Sequence, residues 1–453
     1  MRFVSTRGDP GRPSFYEILL GGLAPDGGLY VPETWPRLEL GPTYPETVAN
    51  ALESFLADSP LAGMALEVAQ DAFAGFRHPE VAPLSQLSDG RFLLELFWGP
   101  TLAFKDHALQ VLGRLFEHAL AVQERRVTVL VATSGDTGSA AIAAGRGAMR
   151  IDVVVLYPKD RVSEFQRRQM TTVNDANVRA VAVEGTFDDC QGLVKRAFAD
   201  ESLRRNLVAM NSINFARIVV QAAYYVWIAS RVQGADFVVP TGNFGNVFSG
   251  WAARRMGAPI GRLVIANNAN HGLFDWVERG VLAVGEVMPT LAPSMDIQIP
   301  SNLERYLFEL ADRDPERVWA WQQELRASGR IEIPASLHSD VADEFAASWF
   351  DDSQILAAIK AVWETEQRLL DPHTALAWLA GNDHRRLGVD QVLLATADPT
   401  KFPPAIAAAT GIEPVPAPGF AHVLTDTERL FSIPNDFASL AAILRDREKG
   451  SIE

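Results

Sequence analysis

Short apolar runs, many of them rich in β-branched residues, alternate along most of the chain with longer segments of helical character. Continuous apolar runs of this length are typical of strands buried on both faces, as in a parallel sheet. The alternation of such strands with helices predicts an α/β fold with mostly parallel sheets. The predicted strands cover residues 127–132, 151–156, 178–183, 237–240, 263–266 and 392–395.

The segments between these strands have the composition of helices. Residues 139–147 are rich in alanine, and residues 217–230 are apolar nearly all round. Residues 190–198 follow a possible helix cap at Thr186 or Asp188. Each of these three segments is therefore a predicted helix.

Two further regions are predicted to be mainly helical. The first ninety or so residues begin with loops around residues 25–28 and 32–45 and continue with a helical pattern over residues 46–76. Residues 303–370 carry tryptophans and other apolar residues at helical spacing, which indicates packing helices. Neither region shows an internal repeat.

Composition limits the number of domains and the class of partner. A chain of 453 residues is too long for one ordinary domain and suggests two or three. Its hydrophobic fraction of 48% and charged fraction of 21% are those of a globular protein with ample core. The net charge of -15 argues against binding to nucleic acid and against an anionic membrane surface. An anionic ligand must therefore be bound by local features.

The scarcity of cysteine and the spacing of histidine argue against a disulfide framework and against a metal site. Cys190 is the only cysteine, and the eight histidines show no paired ligand spacing. The chain start lacks an apolar core that can serve as a secretion signal, and the apolar stretch 219–229 is too short to span a bilayer. We therefore expect a cytoplasmic protein.

Two glycine-rich turns follow predicted strands. Thr133-Ser-Gly-Asp-Thr-Gly138 comes after the strand at 127–132, and Thr241-Gly-Asn-Phe-Gly-Asn246 comes after the strand at 237–240. A strand, a glycine turn and a helix in this order aim backbone N–H groups and the positive helix end at a phosphate. Taken singly, each turn can also be an ordinary connection with an Asn or Ser cap. Asp136 either caps the following helix or accepts a hydrogen bond from a cofactor hydroxyl.

Two polar features have similar alternatives. Asn211-Ser-Ile-Asn-Phe-Ala-Arg217 opens an apolar helix and can form a recessed site for a doubly charged group, with the Arg217 guanidinium as a fork. It can equally be a helix cap followed by an arginine that reaches solvent. Thr396 ends a strand, where its hydroxyl can bond to a heterocycle nitrogen or cap the next turn.

Lys105 is the candidate for covalent chemistry. Apolar residues and a Gly-Pro turn precede it in Trp98-Gly-Pro-Thr-Leu-Ala-Phe-Lys-Asp-His107. A partly desolvated lysine loses some preference for its ammonium form, and the free amine is a nucleophile toward aldehydes such as pyridoxal phosphate. The local sequence alone nevertheless favours the other interpretation, a surface lysine in the first turn of a helix that reaches water past Leu102 and Phe104.

In combination, these features resemble the threonine synthase family, which belongs to the tryptophan-synthase-like group of pyridoxal-phosphate enzymes. The resemblance runs along almost the whole chain, and the Ser-Gly-Asp-Thr turn matches the longer branch found in many bacteria and fungi. Its motifs are Ser5-Thr-Arg-Gly8, Gly22-Leu-Ala-Pro-Asp-Gly-Gly-Leu-Tyr-Val31, Gly99-Pro-Thr-Leu-Ala-Phe-Lys-Asp106, Ala132-Thr-Ser-Gly-Asp-Thr-Gly138, Phe187-Asp-Asp-Cys-Gln191, Asn211-Ser-Ile-Asn214, Pro240-Thr-Gly-Asn-Phe-Gly245, Ser294-Met-Asp296, Pro300-Ser-Asn302, Pro372-His-Thr-Ala375 and Lys401-Phe-Pro403.

The resemblance implies a fold and a set of domain limits. The expected architecture is α/β, with two Rossmann-like parallel-sheet domains of the tryptophan synthase β-like type and a mainly helical N-terminal region. The expected limits are 1–95 for the N-terminal region, 96–125 with 235–453 for a large cofactor domain, and 126–234 for a small mobile domain.

The resemblance also implies roles for individual residues. Lys105 matches the lysine that binds the cofactor and carries the catalysis, and Thr396 matches the residue at the pyridine nitrogen. Asp136 is expected to contact the cofactor. The phosphate loop is expected to be Gly242, Asn243, Phe244, Gly245 and Asn246, with Asn246 in place of the usual aspartate. The expected substrate-binding residues are Ser134, Thr137, Asn211, Ser212, Asn214 and Arg217.

The implied activity is that of a carbon–oxygen lyase acting on phosphates. It would convert O-phospho-L-homoserine and water to L-threonine and inorganic phosphate, a step of threonine biosynthesis, in a monomer or homodimer. Two alternatives stay open. One is a related phospho-lyase that stops at 2-oxobutyrate, and the other is a non-catalytic binding protein of the same fold.

Overall fold

The computed structural model describes residues 1–449 and contains two parallel sheets with helices packed around them. Small antiparallel pairs add two further sheets. The strands are β1 (Phe3–Ser5), β2 (Tyr30–Pro32), β3 (Leu84–Gln86), β4 (Arg91–Glu95), β5 (Val127–Ala132), β6 (Ile151–Pro158), β7 (Val178–Glu184), β8 (Leu207–Val208), β9 (Asp236–Pro240), β10 (Leu263–Asn267), β11 (Val281–Ala283), β12 (Arg330–Glu332), β13 (Phe345–Trp349), β14 (Gln391–Ala395) and β15 (Phe431–Pro434).

Helices occupy much of the remaining chain. The α-helices are α1 (Phe15–Leu19), α2 (Tyr44–Leu56), α3 (Ala65–Phe73), α4 (Lys105–Val122), α5 (Asp136–Gly145), α6 (Glu164–Thr171), α7 (Phe187–Ala199), α8 (Phe215–Ala229), α9 (Gly245–Arg255), α10 (Gly272–Arg279), α11 (Leu303–Leu310), α12 (Pro315–Ser328), α13 (Ala335–Glu344), α14 (Asp352–Glu366), α15 (Pro372–Asp383), α16 (Pro403–Thr410), α17 (Ala421–Thr425) and α18 (Phe437–Lys449). Short 3-10 turns lie at Arg204–Asn206, Pro293–Met295 and Pro399–Lys401. None of the helices within residues 1–449 is both long and apolar enough to cross a bilayer.

The two large sheets confirm the predicted α/β class. The six-stranded sheet has the order β13-β10-β9-β14-β4-β3 and is parallel except at its β3 edge. The five-stranded sheet, β15-β7-β6-β5-β8, is parallel throughout. All six predicted strands are present within these two sheets, and most of their residues are buried. Apolar runs were a sufficient signal because helices cover both faces of such sheets.

Nine of the fifteen strands within residues 1–449 were not predicted, and three of them show why. β4 lies within the region expected to be helical and pairs with β14 in the six-stranded sheet. β13 reads Phe-Ala-Ala-Ser-Trp, a sequence of weak strand propensity, and is stabilised by pairing with β10. β15 lies near the end of the chain yet adds to the five-stranded sheet beside β7. The predicted domain limits stay a prediction, although strand pairing places β3, β4 and β15 in sheets that those limits do not assign to them.

The predicted helices are present, and their starts follow local capping chemistry. Thr186 caps α7 and forms a reciprocal pair of hydrogen bonds with Asp189, so Thr186 rather than Asp188 is the cap. Asn214 caps α8, whose fifteen residues are all buried. This complete burial explains why its sequence is apolar nearly all round.

The carboxyl ends of several strands meet near the start of α4. The first glycine turn follows β5, the second follows β9, and Thr396 directly follows β14. The backbone N–H of Phe104 donates to the carbonyl oxygen of Thr396 at 2.9 Å, which ties the start of α4 to the end of β14. Carboxyl ends of parallel strands are the usual place for ligand sites in such sheets.

Candidate active site

A cavity of about 710 Å³, including its open mouth, lies at this meeting point. Eleven of the fourteen predicted site residues line it. They are Lys105, Asp136, Thr137, Ser212, Arg217, Gly242, Asn243, Phe244, Gly245, Asn246 and Thr396. Ser134, Asn211 and Asn214 do not line it.

Lys105 is the first residue of α4 and is buried in the cavity wall with 9% of its surface exposed. Its Nζ lies 3.1 Å from Asp136 Oδ2 and 3.3 Å from Ser294 Oγ. Burial lowers the pKa of Lys105, and the positive charges of Lys401 and Arg217 lower it further, whereas Asp136 acts in the opposite direction. The structure therefore favours a desolvated amine over a lysine that extends to solvent.

Asp136 is the ionic centre of the site. Its Oδ1 lies 2.7 Å from Lys401 Nζ and accepts a hydrogen bond from Gln166 Nε2 at 2.8 Å. Its Oδ2 accepts from Lys105 Nζ and, at 3.1 Å, from Ser294 Oγ. Burial acts to raise the pKa of Asp136, but the charges of Lys105 and Lys401 lower it well below its ordinary value. The carboxylate does not cap α5, since no side chain caps that helix.

The second glycine turn forms one wall of the cavity. Phe244 adopts a left-handed backbone conformation with φ of 63°, and α9 begins at the next residue, Gly245. A β-carbon on Gly242 would lie 3.0 Å from the carbonyl oxygen of Ser294 and 3.1 Å from Met295 Cα. Glycine therefore permits the close approach of this turn to the segment at 294–295. The first N–H groups of α9 are suited to an anion in the cavity.

Asn246 has a fixed orientation in this turn. Its Oδ1 accepts hydrogen bonds from the hydroxyls of Tyr224 and Tyr225, the latter at 3.0 Å. Its Nδ2 is buried and has no hydrogen-bond partner within the described part of the chain. An unpaired buried donor costs free energy, so this N–H group is suited to a ligand acceptor.

Arg217 is a second buried group whose polar atoms are incompletely paired. It is 5% exposed, and its Nε and one terminal nitrogen have no hydrogen-bond partner among residues 1–449. Burial lowers the pKa of Arg217 to about 10, with Tyr224 acting weakly in the other direction. A buried guanidinium with free donors is stabilised by an anionic ligand. The alternative of an arginine that reaches solvent is therefore wrong.

The two asparagines of the same cluster are engaged with the backbone. Asn214 accepts from the N–H of Ala216 and donates to the carbonyl oxygen of Leu19 at 2.8 Å. Asn211 accepts from the N–H of Ile213. These bonds shape the loop that carries Ser212, and a direct role of either asparagine in substrate binding stays a prediction.

Thr396 lines the cavity from the end of β14. Its backbone N–H donates to Thr374 Oγ1 at 3.3 Å. The following 3-10 turn is capped by Asp398, so Thr396 does not serve as its cap. The Thr396 hydroxyl therefore has no role in capping this turn.

Several residues of the site were not assigned a role from the sequence. His373 lines the cavity; its Nδ1 lies 2.8 Å from Asp371 Oδ1, and its Nε2 accepts from the N–H of Ser294 at 3.3 Å. Ser294 and Lys401 contact Asp136 as described above. All three lie in motifs that carry the family resemblance, namely Ser294-Met-Asp296, Pro372-His-Thr-Ala375 and Lys401-Phe-Pro403. Nothing in their local sequence indicates that Ser294 and Lys401 contact Asp136 or that His373 lines the cavity.

No candidate metal-binding site is found in the described part of the chain. Within residues 1–449, no group of three or more His, Cys, Asp or Glu side chains is arranged to hold a metal ion. Cys190 is buried, and burial raises the pKa of its thiol to about 12, which keeps it protonated at neutral pH.

Comparison with known families gives three matches that together span most of the chain. Residues 2–67 match the family described as threonine synthase N terminus. Residues 81–324 match the family described as pyridoxal-phosphate dependent enzyme. Residues 374–444 match the family described as threonine synthase, C-terminal.

Individual relatives are similar over nearly their whole length. The chain is 42% identical to threonine synthase from Pseudomonas aeruginosa, with 98% of each chain covered. It is 36% identical to human threonine synthase-like 2, covering 91% of this chain and 90% of that protein. Among solved structures, the chain is similar to PLP-bound threonine synthase from Brucella melitensis, with a TM-score of 0.94, 40% identity and coverage of 98% and 99%.

Proposed function

The chain belongs to the threonine synthase family of pyridoxal-phosphate-dependent enzymes, and we propose that it converts O-phospho-L-homoserine and water to L-threonine and inorganic phosphate. One observation carries the assignment of this chemistry to the cavity. A desolvated lysine and a buried arginine with unpaired donors, Lys105 and Arg217, line the same cavity. The first suits an aldehyde cofactor, and the second suits a phosphorylated substrate.

The residues present fit pyridoxal phosphate. Gly242 lets the turn pack closely against the backbone of Ser294 at the cavity wall, and the unpaired Nδ2 of Asn246 lies in the same turn, at the start of α9. We propose that residues 242–246 hold the cofactor phosphate and that Thr396 faces the ring nitrogen. When bound, the cofactor supplies an aldehyde for the lysine amine and a ring that absorbs the electron pair of the substrate α carbon.

Replacement of Asn246 with alanine tests the phosphate role of this turn. We expect the dissociation constant for pyridoxal phosphate to rise about 10- to 150-fold, because a hydrogen bond to a charged group contributes about 1.5 to 3 kcal/mol. Tyr225→Phe is the matched control, since it removes one of the bonds that orient Asn246 and leaves the Nδ2 donor in place. Cofactor titration by fluorescence measures both variants. Equal cofactor affinity of N246A and the parent protein would contradict the proposed contact.

Lys105 is proposed to move the protons. Its Nζ lies in the cavity wall, where the lowered pKa increases the share of neutral amine. The neutral amine can take the proton from the substrate α carbon and would pass it to the bound cofactor, which leaves the amine free to take a proton from the β carbon. The phosphate leaves the γ carbon, Lys105 returns the β proton to that carbon, and after water has added its oxygen at the β carbon the proton released by the water is delivered through Lys105 to the α carbon.

Arg217 and Ser212, which also line the cavity, are proposed to hold the substrate phosphate. The guanidinium fork suits a doubly charged phosphate and also the phosphate that leaves the γ carbon. The same pocket would keep the released phosphate near the β carbon, where it can orient the attacking water. Thr137 lies at the cavity wall beside Asp136 and is proposed to contact the substrate carboxylate.

Stray water must be excluded while the substrate is unsaturated, because its attack or early release of the substrate yields 2-oxobutyrate. We propose that residues 126–234 form a small domain that closes over the cavity, together with β15, which pairs with β7 of the same sheet. We also propose a cytoplasmic location and a monomer or homodimer.

Product analysis tests the function. With O-phospho-L-homoserine, we expect phosphate and threonine in equal amounts, measured by phosphate release and amino-acid chromatography on one sample. Homoserine is the control and should yield no threonine, because its γ hydroxyl is a poor leaving group. Formation of 2-oxobutyrate in place of threonine would assign the chain to the phospho-lyase alternative. This outcome is tested because the chain is also similar to human threonine synthase-like 2. Absence of both products would indicate a binding protein.

A further inference from the structure

Lys401 is a completely buried cation that the reaction described above does not use. It ends the 3-10 turn Pro399–Lys401, which follows β14, and has 0% of its surface exposed. Its Nζ lies 2.7 Å from Asp136 Oδ1 and donates to the carbonyl oxygen of Thr101 at 2.8 Å. A charged group is buried this deeply only when its partners compensate for the lost hydration.

The ion pair between Lys401 and Asp136 joins segments that follow strands of the two different parallel sheets. Asp136 starts α5, directly after the first glycine turn and the five-stranded sheet. Lys401 follows β14 of the six-stranded sheet, and Thr101 precedes α4. The contact between Lys401 and Asp136 therefore fixes the first glycine turn against the wall that carries Lys105 and Thr396.

The two oxygens of Asp136 are divided between two lysines. Oδ1 is shared by Lys401 and Gln166, and Oδ2 is shared by Lys105 and Ser294. Only the neutral amine of Lys105 attacks an aldehyde, so Lys105 must give up a proton before it binds the cofactor. Asp136 then loses one of its two ammonium partners, and a buried carboxylate without a cation is strongly disfavoured.

We propose that Lys401 is a positioning residue that holds the Asp136 carboxylate in place and balances its charge while Lys105 is engaged with the cofactor. This inference rests on the proposed function only for the use of pyridoxal phosphate. The charge of Lys401 also lowers the pKa of Lys105, which favours the reactive amine. Lys401 thus acts on the chemistry through two other residues and does not itself contact the substrate.

A double-mutant cycle between Lys401 and Asp136 tests the proposal. We expect Lys401→Met to raise the dissociation constant for pyridoxal phosphate at least about 10-fold, because Lys105 then becomes the only cation of Asp136 and resists deprotonation. In the D136N background the same substitution should change this constant less than about 3-fold, since no carboxylate is left to balance. Lys401→Arg keeps the charge and should restore part of the affinity. Lys159→Met removes a lysine from an exposed ion pair with Glu184 and is the control without effect.

A second measurement uses the protein without cofactor. Competitive acetylation followed by peptide mass spectrometry reports the pH at which Lys105 becomes reactive. Lys401→Met should shift this midpoint to higher pH, whereas a loss of packing alone would not move it in a definite direction. Equal effects of K401M in both backgrounds, or an unchanged midpoint, would overturn the proposal.

The folding of the variants also bears on the proposal. If K401M does not fold, the K401M/D136N variant must fold, because it leaves no buried carboxylate without its lysine. Failure of both to fold would show that Lys401 serves packing and would overturn the inference. None of these measurements uses substrate. A protein that binds pyridoxal phosphate in this way but forms no threonine would contradict the proposed function and leave the role of Lys401 supported.

Discussion

Replacement of Lys105 with alanine is expected to abolish threonine formation and the visible absorption band of the protein with pyridoxal phosphate. The proposed covalent link needs an amine at this position, and Lys105 Nζ is the amine that lines the cavity. Loss of a residue that carries both covalent and proton-transfer steps is expected to reduce kcat by at least about 10³-fold. Absorption spectroscopy after cofactor addition and a phosphate-release assay measure the two effects.

The fold should survive this substitution. Burial disfavours the ammonium of Lys105, and the carboxylate of Asp136 keeps Lys401 as a partner after the change. We therefore expect the thermal unfolding of K105A without cofactor to resemble that of the parent protein. Lys159→Ala, on the exposed surface, is the control that should keep both activity and spectrum. An unchanged visible band in K105A would refute the assignment of this lysine.

Replacement of Arg217 with alanine is expected to weaken substrate binding far more than cofactor binding. Charge-assisted hydrogen bonds contribute about 1.5 to 3 kcal/mol, so KM for O-phospho-L-homoserine should rise about 10- to 150-fold. The dissociation constant for pyridoxal phosphate should change less than about 3-fold. Steady-state kinetics and cofactor titration on the same preparations separate the two quantities.

Two further observations distinguish a phosphate site from a structural arginine. Arg217→Lys keeps the charge but loses the planar fork, so its KM should lie between those of the parent and R217A. Without ligands, R217A should be at least as stable as the parent protein, because the unpaired guanidinium is buried without a carboxylate partner. Equal losses of substrate and cofactor affinity, or a large loss of stability, would contradict the phosphate role.

The local sequence predicted the framework of the fold well. Its six apolar runs are strands in the two sheets because helices cover both faces of those sheets, which makes the run itself diagnostic. The strands that escaped prediction depend on their partners. β13 contains alanine and serine and is stabilised by pairing with β10. β15 reaches the five-stranded sheet from the end of the chain. Pairing partners distant in sequence leave little signal in a local window.

For the candidate site, too, the sequence predicted some features and the structure was needed for others. Lys105, the two glycine turns and Arg217 are in sequence patterns that suggest chemistry, and the structure brings them to one cavity. The sequence alone did not decide whether the side chains of Lys105 and Arg217 are exposed or buried, because a lysine or arginine near a helix start can either reach water or be buried. Burial of Lys105 and the unpaired nitrogens of Arg217 were visible only in the structure.

The sequence by itself determined the α/β class, the core strands and, through its ordered motifs, the family. Those properties follow from short-range patterns of apolar residues and from residues that stand close together along the chain. Only the tertiary structure decided that Asp136 lies between Lys105 and Lys401 and that the amide of Asn246 is oriented by two tyrosines. The physical reason is that charge balance and desolvation depend on distances in space, and Asp136 and Lys401 are far apart in the chain but 2.7 Å apart in the fold.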